Sequence, residues 1–189
     1  LDTASVYLRG NSEISIGKTL DEDKTRDKVY LATKMRFASD RETKTFISSG
    51  EARGQLATKE NFQTQLDTSL QRLRTDYVDI LYLHSVDSTD MVNYEPMMEC
   101  LVKAKKDGKT RFIGTSTHSN DPDVIKATVD AGIYDVILTA QSTFFDEKEA
   151  IKEAARQGEM HLRFDVKPPY SDTPLDWEDQ LEATFSSRY

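Results

Sequence analysis

Short runs rich in β-branched, aliphatic or aromatic residues recur along the chain, separated by segments in which apolar residues return at helical spacing. The runs at 29–33, 78–83, 111–115 and 136–140 predict buried β-strands. The intervening segments predict amphipathic helices, whose expected buried positions are Phe62, Leu66, Ser69, Leu70 and Leu73, then Met97, Met98, Leu101 and Ala104, then Val124, Ile125, Thr128 and Val129. Strict alternation of strand and helix indicates a parallel sheet with right-handed crossovers, either open or closed into a barrel.

Proline and glycine mark the expected helix ends. Asp121 followed by Pro122 is typical of a helix start, where the acidic side chain caps the helix and proline occupies its first turn. Gly108, Gly132 and Gly158 follow helical runs and predict their C-terminal ends. These boundaries agree with the alternation read from the apolar pattern.

Polar residues at the ends of the predicted strands favour a barrel over an open sheet. Lys34 follows the first strand, His84 the second, and Ser116, Thr117 and His118 the third. A parallel (β/α)8 barrel assembles its site from the C-terminal ends of several strands. An open sheet, such as a flavodoxin-like one, concentrates its ligand contacts at one switch point, usually with a glycine-rich phosphate turn. Neither GxGxxG nor GxxxxGK[ST] occurs here, so the barrel is the leading prediction.

Two segments depart from this rhythm. Residues 37–56 are polar, contain Gly50 and Gly54, and are long for a connection between a strand and a helix, so they predict a loop over the site. Residues 159–189 contain Pro168, Pro169 and Pro174 and show neither helical nor strand periodicity clearly. The chain is therefore predicted to comprise a core over 1–158 and a divergent C-terminal segment over 159–189.

Composition limits the classes of partner. The net charge of −8 repels phosphate backbones, and no dense Lys or Arg cluster opposes it, so nucleic acid is not an expected partner. No apolar run approaches the roughly 20 residues that a membrane span requires, so no membrane partner is expected either. The single cysteine, Cys100, lies in an apolar helical run and is expected in the core. Such cysteine usage fits a cytoplasmic protein, although the chain opens on Leu1 without an initiator Met, which leaves room for a leader.

Ordered sequence blocks carry a resemblance to a known family. They are LDTASVY at 1–7 with NSE at 11–13 and IG at 16–17, LATK at 31–34, SLQRL at 69–73 with DYVDILYLH at 76–84, and GKTRFIGTS at 108–116. In this order they resemble the aldo-keto reductases over about residues 1–158. The resemblance implies a parallel (β/α)8 TIM barrel that is incomplete at both ends of this chain, since the family has one strand earlier and two further βα units later.

The resemblance also implies a catalytic set of Asp2, Tyr7, Lys34 and His84. Carbonyl reduction by a nicotinamide hydride needs a proton donor at the carbonyl oxygen, and a tyrosine with a pKa near 10 is a reluctant one. The Lys34 ammonium is expected to lower the pKa of Tyr7, Asp2 to pair with Lys34, and His84 to orient the carbonyl. Each residue alone has an ordinary structural explanation; Asp2, for example, could cap a helix.

Three further residues match family positions that contact the cofactor amide. Ser116 matches one, Thr117 stands where the family often has Asn, and Gln141, or its neighbour Ser142, falls where another amide-binding residue is expected. His118 is a second histidine near the predicted site, and a supporting role in a loop is favoured over direct catalysis.

The resemblance therefore implies an NAD(P)H-dependent oxidoreductase that reduces a small-molecule aldehyde or ketone, with NADP(H) favoured over NAD(H). The phosphate-binding basic residues of the family are not recognisable after Pro169. The region where the family places them offers Lys167 and Arg188, among Asp165, Asp172, Asp176, Glu178, Asp179 and Glu182. Since carboxylates repel phosphate, no cofactor is expected on the chain as written. The alternative is a truncated, non-catalytic relative that acts as a binding or assembly subunit.

Overall fold

The computed structural model describes residues 1–37, 58–118, 121–140 and 161–165. The predicted loop at 37–56 lies outside these residues except for Phe37, which is buried. Gly158, the predicted boundary at 158, Gln141, Ser142 and most of the segment 159–189 also lie outside them. Within the described ranges, no helix combines the length and apolar character needed to cross a bilayer.

In the part of the chain that the structure describes, five parallel strands form one sheet in chain order. They are β1 Ala32–Arg36, β2 Val78–His84, β3 Thr110–Thr117, β4 Val136–Ala140 and β5 His161–Asp165. A further parallel bridge joins Asp2 to Ala32, so the first residues run along the outer edge of β1. The predicted α/β architecture with a parallel sheet is confirmed, and pairing of β5 with β4 carries that sheet as far as Asp165.

Helices separate the first four of these strands in the described residues, and one further helix precedes β1. They are α1 Asn11–Glu22, α2 Lys59–Leu73, α3 Thr89–Val92, α4 Glu95–Lys106 and α5 Asp121–Asp130. Short 3-10 segments occur at Tyr7–Gly10 and Arg26–Lys28. The predicted start of α5 at Asp121 and the glycines after α4 and α5, Gly108 and Gly132, are confirmed.

The first predicted strand was placed wrongly. It was expected at 29–33 with Lys34 after it, whereas β1 covers Ala32–Arg36 and holds Lys34 at its centre. Lys34 is only 2% exposed, because its aliphatic stem is buried and its ammonium group has protein partners. Tyr30, in the predicted strand, is 75% exposed. A lysine was thus taken for a strand end when it is part of the strand.

The sheet has two faces with different roles. Met35, Leu81, Leu83 and Ile113 pack with apolar side chains of the helices in the main core, which also buries Cys100 as predicted. Strand neighbours of these residues point the other way and form a second cluster of Ala32, Ile80, Tyr82, Val136 and Leu138. We call this second side the inner face. It is the side that the interior of a barrel presents.

Strand register fixes which residues follow on the inner face. Lys34 and Arg36 continue the alternation from Ala32, and His84 continues it from Tyr82. Arg36 and His84 are direct partners across the first strand pair. On β3, the Thr115 hydroxyl contacts Thr128 of α5, so Ser116 faces inward. The C-terminal end of the inner face therefore combines Lys34, Arg36, His84 and Ser116.

Candidate active site

Tyr7 lies in a short 3-10 turn that backbone hydrogen bonds attach to β1. The Ser5 N–H and hydroxyl both donate to the Lys34 carbonyl oxygen, at 3.4 and 3.1 Å. After Tyr7, the chain turns through left-handed φ angles at Leu8 (49°), Arg9 (57°) and Gly10 (91°). This turn brings the Tyr7 ring back over the end of the strand that carries Lys34.

The Lys34 ammonium is the centre of the site. Its Nζ donates to Asp2 Oδ2 at 2.7 Å, to the Thr3 carbonyl oxygen at 2.8 Å and to Tyr7 Oη at 3.4 Å. It also lies 4.8 Å from the centroid of the Tyr7 ring. An ammonium group has three N–H donors, so each has an acceptor here. The carboxylate and the phenol predicted to flank Lys34 are both in contact with it.

His84 also contacts the Tyr7 ring. The two rings meet edge to face with centroids 5.6 Å apart and an interplanar angle of 81°. Burial, with smaller contributions from Lys34, Arg36 and His118 and an opposing one from Asp2, lowers the pKa of His84 to about 4. His84 is therefore neutral near pH 7 and offers one N–H donor. Its Nδ1 has no hydrogen-bond partner among the described residues.

Ser116 and Thr117, the predicted cofactor residues of β3, lie on opposite faces of the sheet. Ser116 is buried, and its Oγ accepts from the Ser85 N–H at 3.1 Å, which leaves its own hydroxyl proton for another acceptor. Thr117 is fully buried, and strand alternation places it on the opposite face from Ser116. His118 is exposed just beyond the strand end. Gln141 lies outside the described residues, so its predicted role stays a prediction.

A buried ion pair that sequence reasoning missed supports the turn that carries Tyr7. Glu13 is fully buried, and its carboxylate accepts from Thr33 Oγ1 at 2.7 Å and from Arg72 Nη1 at 3.2 Å. Arg72 Nη1 also donates to the Ser5 carbonyl oxygen at 3.3 Å. In the sequence, Glu13 and Arg72 stand out only as members of the blocks NSE and SLQRL. Those blocks are the signal that could have identified them.

Glycine is required where the turn meets this ion pair. A Cβ atom at Gly10 would lie 2.6 Å from the Arg72 guanidinium carbon. The positive φ of Gly10 also disfavours any side chain there. Arg72 thus packs directly beneath the turn, and the ion pair links α1, β1 and α2 to the segment that positions Tyr7.

The arrangement suits proton transfer to an oxygen atom. A phenol, an ammonium and a neutral imidazole approach one point at the C-terminal ends of parallel strands, which is where (β/α)8 barrels carry their sites. Among the described residues, no group of three or more His, Cys, Asp and Glu side chains could hold a metal ion. The fold and the site therefore define part of a (β/α)8 barrel with an acid–base cluster at its mouth.

The chain belongs to the aldo/keto reductase family, whose sequence model matches residues 1–162. Methylglyoxal reductase DkgB from Salmonella typhi is 30% identical over 166 residues, which are 86% of this chain and 54% of that protein. Norsolorinic acid reductase B from Aspergillus parasiticus is 34% identical over 116 residues, 61% of this chain and 29% of that protein. The chain thus spans about half of the first relative and under a third of the second.

Solved structures agree on the fold. A putative aldo-keto reductase from Pseudomonas aeruginosa superposes with a TM-score of 0.67 at 19% identity, covering 97% of this chain and 63% of that one. An aldo-keto reductase from Klebsiella pneumoniae in complex with NADPH gives 0.60 at 22% identity, covering 85% and 50%. The predicted TIM-barrel fold class is confirmed.

Proposed function

We propose that the protein reduces a small aldehyde or ketone with a nicotinamide cofactor, NADP(H) rather than NAD(H). The contact of Lys34 with both Asp2 and Tyr7 carries this proposal, because it puts a cation beside a phenol that can give up a proton. Membership of the aldo/keto reductase family supports the class of reaction. The NADPH complex of the Klebsiella protein supports the choice of cofactor.

In this proposal Tyr7 donates its hydroxyl proton to the carbonyl oxygen of the substrate. Negative charge then develops on Tyr7 Oη, 3.4 Å from the Lys34 ammonium, which stabilises it. Asp2 holds Lys34 in place from the opposite side, at 2.7 Å. This division of roles makes Tyr7 the acid, Lys34 its electrostatic partner and Asp2 the residue that orients Lys34.

His84 orients the substrate. Because its pKa is lowered to about 4, the imidazole is neutral and donates a single hydrogen bond to the carbonyl oxygen that Tyr7 protonates. Its edge-to-face contact with the Tyr7 ring keeps the two donors aimed at one atom. A neutral imidazole also leaves Tyr7 as the proton source, since His84 itself carries no extra proton to transfer.

Ser116 is the described residue that fits the cofactor best. It lies on the inner face beside His84, and its hydroxyl proton is available to a carboxamide oxygen of the nicotinamide. The cofactor supplies the hydride when it is bound. We propose the same amide contact for Gln141, as the sequence predicted. Thr117, which the sequence also predicted to bind the cofactor, is buried on the opposite face of β3 and is not part of this proposed contact.

The test is carbonyl-dependent oxidation of NADPH by the full-length protein, with the alcohol product identified by mass spectrometry. Paired aldehydes and ketones of different size supply the substrates, and NADPH binding is followed separately by its fluorescence. Reduction of at least one carbonyl with equimolar NADPH consumption supports the proposal. Binding of carbonyl compounds without NADPH oxidation, by a protein that binds NADPH, would instead favour the non-catalytic binding subunit.

A further inference from the structure

Arg36 stands in an unusual place for an exposed arginine. It occupies the last position of β1, two residues beyond Lys34 on the inner face. Its Cα partner across the strand pair is His84. Neighbouring strands lie about 4.8 Å apart, so the base of the Arg36 side chain is one strand spacing from the residue proposed to orient the carbonyl.

The end of β1 is fixed in position. The Arg36 N–H donates to Gln65 Oε1 of α2 at 3.2 Å, which anchors the backbone from the helix side. The side chain remains exposed at the mouth. The Asp2 carboxylate is engaged by Lys34 at 2.7 Å. Arg36 therefore brings a guanidinium group to the rim of the site from an ordered strand end.

A second basic side chain lies on the same rim. His118 is two residues beyond Ser116 and exposed, at the end of β3 on the far side of His84. Arg36 is the Cα partner of His84 on one side, and His118 follows β3, which pairs with β2 on the other side. The Arg36 guanidinium thus puts a permanent positive charge at the rim around the proposed carbonyl position, within a chain whose net charge is −8.

We propose that Arg36 binds a carboxylate of the substrate, so that the preferred carbonyl compounds are 2-oxo acids or close analogues. A guanidinium group matches a carboxylate with two parallel hydrogen bonds. In a 2-oxo acid the carboxylate is bonded directly to the carbonyl carbon, which suits the adjacency of Arg36 and His84. This inference rests on the proposed function for its turnover, but the binding site itself is independent of catalysis.

The direct test measures binding rather than turnover. Oxamate and oxamide share an amide carbonyl and differ in that only oxamate carries a carboxylate. We expect calorimetry on the full-length protein with bound NADPH to show tighter binding of oxamate than of oxamide. Arg36→Gln should weaken oxamate binding about tenfold to a hundredfold, the range for a hydrogen bond to a charged group, while Arg36→Lys recovers part of it.

A matched control is Arg74→Gln. Arg74 is 49% exposed and pairs with Asp21. It directly follows α2 and lies near the start of β2, at the end of the sheet away from Arg36. It should leave oxamate binding unchanged. Equal oxamate affinity in wild type and Arg36→Gln would overturn the inference, and so would a loss of NADPH affinity with oxamate binding retained, since Arg36 would then serve the cofactor.

Turnover separates this inference from the proposed function. If 2-oxo acids and neutral aldehydes are both reduced, Arg36→Gln should raise KM for the acids about tenfold or more and leave the neutral aldehydes nearly unchanged. Reduction of neutral aldehydes with no effect of Arg36→Gln on either class would overturn the carboxylate site and leave the reductase standing. If wild type reduces neither 2-oxo acids nor neutral aldehydes but binds oxamate in an Arg36-dependent way, the carboxylate site stands and the proposed reductase activity is overturned.

Discussion

The Lys34 ammonium nitrogen lies 3.4 Å from the Tyr7 phenol oxygen, although the two residues come from a left-handed turn and from the middle of a buried strand. Asp2, Thr3 and Tyr7 together satisfy all three N–H donors of Lys34. An ammonium group that lacked acceptors would be costly to bury. The three acceptors therefore allow Lys34 to be buried and still contact the Tyr7 phenol. The roles proposed for the site depend on this contact.

Lys34→Met tests the cation in that contact. Methionine keeps much of the buried stem but removes the charge beside Tyr7 Oη. We expect kcat/KM for carbonyl reduction to fall at least about a hundredfold, as for other lost electrostatic partners of a transition state. Lys28→Met is the control and should change little, because Lys28 is exposed at the end of the 3-10 segment Arg26–Lys28. Near-normal kcat/KM in Lys34→Met would remove Lys34 from the mechanism.

The lowered pKa of His84 predicts how stability depends on pH. The unfolded state binds the proton with a pKa near 6.5 and the folded state with one of about 4. Between these values the unfolded state carries more protons, so stability is complete above the higher value and falls as pH drops toward the lower one. Urea unfolding should show wild type losing roughly 2 kcal/mol more than His84→Gln between about pH 7.5 and about pH 5. Equal losses would show that His84 is not held neutral.

The Glu13–Arg72 ion pair predicts a stability effect. Glu13 is fully buried, so Arg72→Ala leaves its carboxylate with the Thr33 hydroxyl as its one remaining side-chain partner among the described residues. We expect a loss of about 3 kcal/mol in the free energy of unfolding. Lys126→Ala, which breaks the exposed pair with Asp130, should cost under about 1 kcal/mol. Similar values for both variants would mean that the buried pair contributes no more than a surface one.

Local pattern predicted most of the fold. The runs at 78–83 and 111–115 correspond to β2 and β3 within two residues at either end, and 136–140 is β4. The first helix, α1, was missed because its sequence is polar and buries only Glu13, Gly17 and Leu20. Its formation depends on packing against α2, where a Cβ at Gly17 would lie 2.3 Å from the Arg72 carbonyl oxygen.

The site was predicted through residue blocks rather than through periodicity. The blocks identified Asp2, Tyr7, Lys34 and His84, which the structure brings together. They could not assign a role to Glu13 and Arg72, because these residues are 59 positions apart and meet only in the folded chain. Arg36 lies beside His84 because β1 covers Ala32–Arg36. The sequence pattern predicted this strand at 29–33, three residues too early, so Arg36 fell outside it.

The measurement that tests the central claim most directly compares Tyr7→Phe with Tyr30→Phe in the full-length protein. Both variants remove one hydroxyl, but Tyr30 is 75% exposed and precedes β1, away from Lys34. We predict that Tyr7→Phe loses carbonyl reduction by about a hundredfold to ten-thousandfold, with NADPH affinity nearly unchanged, and that Tyr30→Phe behaves as wild type. Near-normal turnover in Tyr7→Phe would contradict the proposal that Tyr7 donates the proton.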